Sequence, residues 1–354
     1  MNKLTKVGLT ALCGSLAGIS SANAGDLSIT GGADLTYVSK SEAVTGAPIG
    51  MGSNYSLKGS GELDNGWTVD LTIANANGNA FSAAIVNLGM GGYGSLNFNQ
   101  GNSGNGLAAI DDKMPTAWEE TWGAGLTSGV RLAVGSGASQ NIQYTAPTVL
   151  GTTLKVTYAH QYGATDIADK GSASNNTQNN SSYDATININ PSLGTEILSG
   201  LNVFAGAATI ERQDDGASLQ DAYEGVAGVT YDIGPLSLGA QWSGDYTGAN
   251  SISGQGNDIN DYNFYKNHAF GVAFNVNDDL SVSYGEWVAR KAGYTDSATV
   301  QGGEDTKTVE INSFQIAYTM GGASFRYAST EVENQSWSAG TDRDATTLSL
   351  GLAF

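Results

Sequence analysis

Four carboxylates stand in two adjacent pairs, Asp111-Asp112 and Glu119-Glu120, in one irregular stretch that also carries Lys113, Trp118 and Trp122. Paired carboxylates can share a proton in acid–base catalysis, ligate a cation, or hold fixed negative charge in a water-filled passage. Catalysis asks for more, because a hydrolase needs a nucleophile or an activated water beside a base. Only two histidines exist, His160 and His268, each at the long-loop end of an expected strand, and no CxxC, HExxH or P-loop pattern occurs. The segment GNDINDYN, residues 256–263, offers Asp258, Asn260 and Asp261 to Ca²⁺ but lacks the fixed spacing of a calcium loop, and reads as a solvated loop. No cofactor, metal or enzymatic activity is expected. Fixed charge is what remains, and its effect depends on the elements that hold it.

Those elements alternate. In DLSITGGADLTYVSK, Leu27, Ile29, Ala33, Leu35 and Tyr37 fall on one parity, and Ser28, Thr30, Asp34 and Thr36 on the other. A period of two belongs to a strand with one apolar and one polar face. The same period recurs along the chain to the closing ATTLSLGLAF, where Leu348, Leu350, Leu352 and Phe354 are spaced two apart. Short turns such as Asp64-Asn65-Gly66, Ile233-Gly234-Pro235, Asn277-Asp278-Asp279 and Gly321-Gly322 join the strands into seven hairpins. With one opening and one closing strand, sixteen are expected. Between hairpins lie longer polar segments, including GATDIADKGSASNNTQNNS. Short turns at one end and long loops at the other are the mark of a transmembrane β-barrel.

Composition gives the address. Residues 1–24 read as a cleaved signal peptide: Lys3 and Lys6, an apolar stretch to about Ile19, then Ala22-Asn23-Ala24. The apolar stretch is shorter than the ~18 residues of a spanning helix. Cys13, the only cysteine, lies within it, so residues 25–354 would hold none, which suits a Gram-negative envelope better than a disulfide-dense secreted scaffold. Without Lys3 and Lys6, 13 basic residues face 34 acidic ones, a net charge of −21, and nucleic acid is not an expected partner. No later stretch is apolar enough for a membrane helix. A chain of this kind crosses a bilayer as a closed barrel, the other structure that satisfies its backbone in lipid.

A soluble β-sandwich also alternates. Against it stand the absence of a fixed sequence period and the aromatics on the apolar parity, Tyr37, Tyr55, Trp67, Tyr158, Tyr231, Trp242, Phe270 and Phe354, expected near strand ends as two interfacial girdles.

The segment QNIQYTAPTVLGTTLKVTYAHQ, residues 140–161, resembles the strand–turn–strand of Gram-negative porins, in which Tyr-x-Ser/Ala-Pro leads through a Gly turn into the next strand. GGYGSLNFNQG, residues 91–101, is similar to the strand before that family's constriction loop, with Asn99-Gln100 in place of the usual Gly-Arg. The alternation ending in Phe354 resembles the family's C-terminal signature. The resemblance spans residues 25–354. It implies a 16-stranded antiparallel barrel with short periplasmic turns, long extracellular loops and a third loop folded inward, forming a homotrimer in the outer-membrane lipid bilayer and passing small hydrophilic solutes and ions.

Sixteen strands enclose a lumen too wide for side chains to fill. The stretch at about 101–140 is far longer than ordinary connections, which suggests a function for it, and by order it is the third long loop. Parity turns Lys58, Lys155 and Arg326 inward, with Asp34, Glu62, Asp70, Asp184 and Glu224. Loop acids opposite wall bases would set a transverse field, focused by the low-dielectric shell. Four loop acids against Lys113, and five wall acids against three bases, predict modest cation preference. A substrate-selective channel would need aromatics on the inner parity, which is expected to be mostly Ser, Thr, Asn and small residues. A plugged adhesive barrel would not conduct.

Overall fold

The computed structural model describes residues 24–41, 48–77, 82–100, 104–164, 179–191, 196–212, 220–248, 264–292 and 307–353. The leader, the 256–263 segment and Phe354 lie outside them.

Sixteen strands follow the alternating segments: β1 (Ala24–Lys40), β2 (Ile49–Glu62), β3 (Thr68–Ala76), β4 (Ala83–Gly89), β5 (Ser95–Gln100), β6 (Gln140–Thr145), β7 (Thr152–Ala159) and β8 (Asn179–Ile189). The second half holds β9 (Leu201–Arg212), β10 (Ala222–Ile233), β11 (Leu236–Tyr246), β12 (Phe264–Asn275), β13 (Leu280–Ala292), β14 (Lys307–Met320), β15 (Ala323–Glu333) and β16 (Arg343–Ala353). A one-turn helix, α1 (Glu196–Ser199), lies in the β8–β9 connection, where the alternation gave no sign of it. Every strand pairs antiparallel with its sequence neighbours, and β16 returns to β1 with Leu35 opposite Leu350 and Tyr37 opposite Leu348. The ring therefore has no open edge.

The period of two sorts side chains as the sequence predicts. Leu27 is 71% exposed, and Leu35, Leu71, Leu154, Val156, Tyr158, Phe325, Leu348 and Leu352 likewise face outward. The opposite parity turns Thr157, Ser182, Asp184, Gln241 and Gln315 into buried positions inside the ring. Surface this apolar is stable only against lipid, where a burial coefficient of about 25 cal/mol per Å² acts on the outer face rather than on a dry centre.

Two expectations need correction. Trp242 and Phe270 stand in the middle of β11 and β12 rather than at their ends, so the aromatic girdles are less regular than the parity reading held. The inner parity, expected to be mostly Ser, Thr, Asn and small residues, also carries large apolar side chains under the loop. Trp287, Val309, Ile311 and Val332 turn inward and pack with Leu126 of the 104–139 segment. Phe204, Ala208 and Val226 do the same with Leu107 and Ile110. A barrel wall can carry apolar residues inward wherever another part of the chain covers them.

Closure depends on close approach at the seam. Gly32 faces Ala353, and a Cβ on it would stand 2.6 Å from the Leu352 carbonyl oxygen, well inside contact distance. Gly32→Val is expected to cost about 1–3 kcal/mol of overpacking at this seam. The fraction of reconstituted protein that resists trypsin should fall, while a control Val at Gly59, which has nothing within 4 Å, should leave it unchanged.

Candidate functional site

Residues 104–139 leave the end of β5, run along the inner wall, and return to β6. Both limbs of this loop are gathered on one carboxylate, Asp184 of β8. The Leu107 N–H donates to Asp184 Oδ2 at 2.9 Å. The Ser136 N–H donates to Oδ1 at 2.9 Å and the Ser136 hydroxyl to the same oxygen at 2.6 Å. Beside it, the Gly135 N–H donates to Glu224 Oε2 at 2.7 Å and the Gly106 N–H to Gln143 Oε1 at 2.9 Å. Hydrogen bonds to a charged acceptor contribute about 1.5–3 kcal/mol each. The approach requires glycine at both limbs. Gly106 and Gly135 have φ of +57° and +52°, and a Cβ would lie 2.0 and 2.4 Å from Asp184 Oδ2.

Between the limbs the loop is bonded to one strand after another. Gln241 of β11 accepts from the Lys113 N–H at 3.0 Å and donates to the Asp111 carbonyl. Ser283 of β13 accepts from the Ala117 N–H at 2.8 Å. Gln315 of β14 accepts from the Glu119 N–H at 3.1 Å and donates to its carbonyl at 2.7 Å. The Trp118 indole donates to the Tyr327 carbonyl of β15 at 3.0 Å. On the return limb, Asn267 of β12 donates to the Arg131 carbonyl at 2.8 Å, and Arg131 pairs with Asp245 of β11.

Three inward glycines in register make the bed for this run: Gly239 faces Gly271, which faces Gly285. A Cβ there would meet Pro115 Cδ at 2.5 Å, the Pro115 carbonyl at 2.8 Å and Thr121 Oγ1 at 2.0 Å respectively. With no side chains at these three positions, the loop lies on the sheet itself.

The four acids behave as two proton-sharing pairs. Burial pushes Asp111 up to about 8, assisted by the neighbouring Asp112 charge, and a side-chain hydrogen bond joins the two. Burial likewise raises Glu119 to about 8, and its hydrogen bond to Glu120 holds Glu120 below the usual carboxylate range. Asp112 is raised by burial and then by Glu120. Protons are therefore held on Asp111 and Glu119, Glu120 is the member of its pair held toward the charged form, and Lys113 lies close to Asp112 and Glu120.

The wall residues divide. Arg326 reaches the loop: it pairs with Asp34 at 3.4 Å, and its guanidinium lies 5.7 Å from the centre of the Trp118 ring. Lys58 pairs with Asp70 at 3.8 Å across β2 and β3, and Lys155 stands inward between Thr145 and Thr186. Among the described residues, no ion pair joins Lys58 or Lys155 to a loop carboxylate. Asp184 and Glu224 take the predicted inward parity but do not line open water, being 2% and 4% exposed under the loop. The loop has a second base, Arg131, which the balance of four acids against Lys113 leaves out. His160 and His268 are exposed, and His160 Nδ1 lies 3.2 Å from the Tyr158 hydroxyl.

Gln241, Ser283, Gln315, Asn267, Asp245 and the glycine row hold the loop, and sequence reading did not single them out. Their signal was faint: an uncharged polar group or a glycine on the inner parity of successive strands, meaningful only once register is known. Asp184→Ala leaves several buried donors unsatisfied at about 1–3 kcal/mol each, and Gly271→Leu fills the bed under Pro115. Both are expected to raise single-channel conductance and open the loop to proteolysis while the barrel persists; unchanged conductance in both would count against a seated loop.

A family model described as Gram-negative porin matches residues 8–354. No curated protein sequence matches the chain. Among solved structures, OmpF of Salmonella typhi in complex with daunomycin is similar over 93% of this chain and 97% of its own, at 15% identity and a TM-score of 0.63. An anion-selective porin from Comamonas acidovorans is similar over 93% and 99%, at 15% identity and a TM-score of 0.59. OmpT of Vibrio cholerae in a trimer form is similar over 94% and 100%, at 10% identity and a TM-score of 0.58. At such identities these likenesses concern the fold, and the family match runs the length of the barrel. The chain belongs to the Gram-negative porin family.

Proposed function

We propose that residues 104–139 form the constriction of this porin, with the loop acids Asp111, Asp112, Glu119 and Glu120 on one side of the opening and Lys58 and Arg326 on the wall. A porin is an outer-membrane channel for passive diffusion of small hydrophilic solutes. The single observation that carries the finer reading is the Asp184 clamp, which gathers both limbs of the loop inside the ring instead of leaving them above it. A transverse field follows from acids on the loop and bases on the wall, because low-dielectric walls focus field lines across a narrow passage. We also propose a signal peptide over residues 1–24, on the basic Lys3 and Lys6, the apolar stretch after them and the small-residue site Ala22-Asn23-Ala24. A homotrimer is proposed in line with the family and the trimer form of the OmpT neighbour. We read the chain as non-catalytic, in line with its family. A substrate-selective channel is less favoured, because the inward Trp287 and Phe204 are covered rather than presented to a solute.

The anion-selective neighbour shows that this fold does not fix the sign of selectivity. Here net loop charge favours cations modestly, and less than a count of four ionised acids would give. Reversal potentials in a salt gradient test it: Glu120→Gln should reduce cation preference, and anion selectivity of the unaltered protein would sink the proposal. The pH dependence has a definite sign. Because Asp111 and Glu119 are held protonated to about 8, raising the pH from 7 to 9 removes protons and adds negative charge. One further carboxylate within about 4 Å of the ion path is worth about 1 kcal/mol in a water-like dielectric, so cation preference should rise roughly two- to fivefold. Glu119→Gln should flatten much of that rise.

A further inference from the structure

Where β1 closes on β16, the inner wall holds a recess of about 620 Å³. One register row crosses it: Gly52 of β2 faces Asp34 of β1, which faces Gly351 of β16, which faces Ser324 of β15. Asp34 thus stands between two positions that carry no side chain. Arg326, the next inward residue along β15, lies across Gly351, where a Cβ would meet its Nη2 at 2.9 Å. The guanidinium is also 5.7 Å from the centre of the Trp118 ring of the loop, and Glu119 beside that ring is within electrostatic reach of Asp34. Both charged groups stay accessible from the recess, the Arg326 side chain being 29% exposed and that of Asp34 37%.

The pair itself is loose. Arg326 Nη1 is 3.4 Å from Asp34 Oδ2, against about 2.7–2.9 Å for a firm charge-assisted bond. Each partner keeps unused capacity. Ser349 donates to Asp34 Oδ1, which with Arg326 fills two of the roughly four acceptor positions of a carboxylate. On Arg326, Nε donates to the Ser324 hydroxyl at 3.3 Å, and Nη2 has no partner among the described residues. Ser324 also accepts from the Thr319 hydroxyl at 3.2 Å, so its own proton is left to give. A lone anion in this recess would meet Asp34, and a lone cation would meet Arg326. A molecule that carries a carboxylate and an ammonium on one carbon finds a partner for each.

We propose that this recess is a station for zwitterionic α-amino acids in transit, with the carboxylate on Arg326 and Ser324 and the ammonium on Asp34. The inference rests on the channel reading above and names a solute class for it. Purified full-length protein in a planar bilayer is exposed to L-alanine, to N-acetyl-L-alanine, which keeps only the negative charge, or to L-alaninamide, which keeps only the positive one. Low ionic strength limits screening, and a pH of about 6 keeps α-amino groups protonated. The readout is the solute concentration that halves the ion current. For alanine it should be at least about tenfold lower than for either analogue, the factor given by about 1.4 kcal/mol. Asp34→Asn should turn the preference toward the acetylated anion, and Arg326→Gln toward the amide. A pair that only braces the wall would not change which solute blocks. Equal block by all three solutes, or an unaltered alanine preference in both variants, overturns the proposal and leaves a conducting channel in place. A protein that passes no salt current overturns the channel reading and this inference with it.

Discussion

No backbone N–H or C=O can go unpaired in hydrocarbon, and the rest of this structure depends on that constraint. An open sheet would leave two edges in lipid, each unsatisfied group costing several kcal/mol. Pairing β16 with β1 removes both edges. Once the ring is closed, every strand must show one face to lipid and one to the interior, and the two-residue period becomes obligatory rather than merely preferred. The usual arrangement of a globular protein is thereby inverted: large apolar side chains such as Leu27, Ile29, Ile49 and Met51 stand exposed on the outer face.

The enclosed space sets a second problem, since a wide ring without a filling is only a hole. This chain answers it with a loop that becomes part of the interior. Backbone N–H groups of the loop find carboxylate and amide acceptors on the wall, and its Leu107 and Leu126 meet inward apolar residues. Asp184 shows how the demands are balanced. Burying one carboxylate is costly, and three donors on the two limbs offset that cost while fixing where the loop begins and ends its run. The same acid that parity alone would assign to the water-lined wall is a fastening.

The acidic pairs follow from the same packing. Four ionised carboxylates crowded against a wall would repel one another, so burial and adjacency keep a proton on Asp111 and on Glu119. Lys113 lies beside both pairs and offsets part of their charge. Both the size of the charge and its pH dependence are thus consequences of how deeply the loop is seated.

What the sequence alone determined was the set of properties with a short local period. Sixteen strands, the closing partners, the short and long connections and the inward parity of Lys58, Asp70, Lys155 and Arg326 were all legible, because alternation records which face meets lipid. Family resemblance lay in the same local features. What only the tertiary structure decided were the relations between residues distant in sequence: Asp184 with Ser136, Gln315 with Glu119, and the Gly239–Gly271–Gly285 row beneath Pro115. Such contacts leave no periodic trace, because an inward Gly, Gln or Asp is equally compatible with open water and with a covering loop. Register and loop path decide between the two, and they arise only when the ring closes.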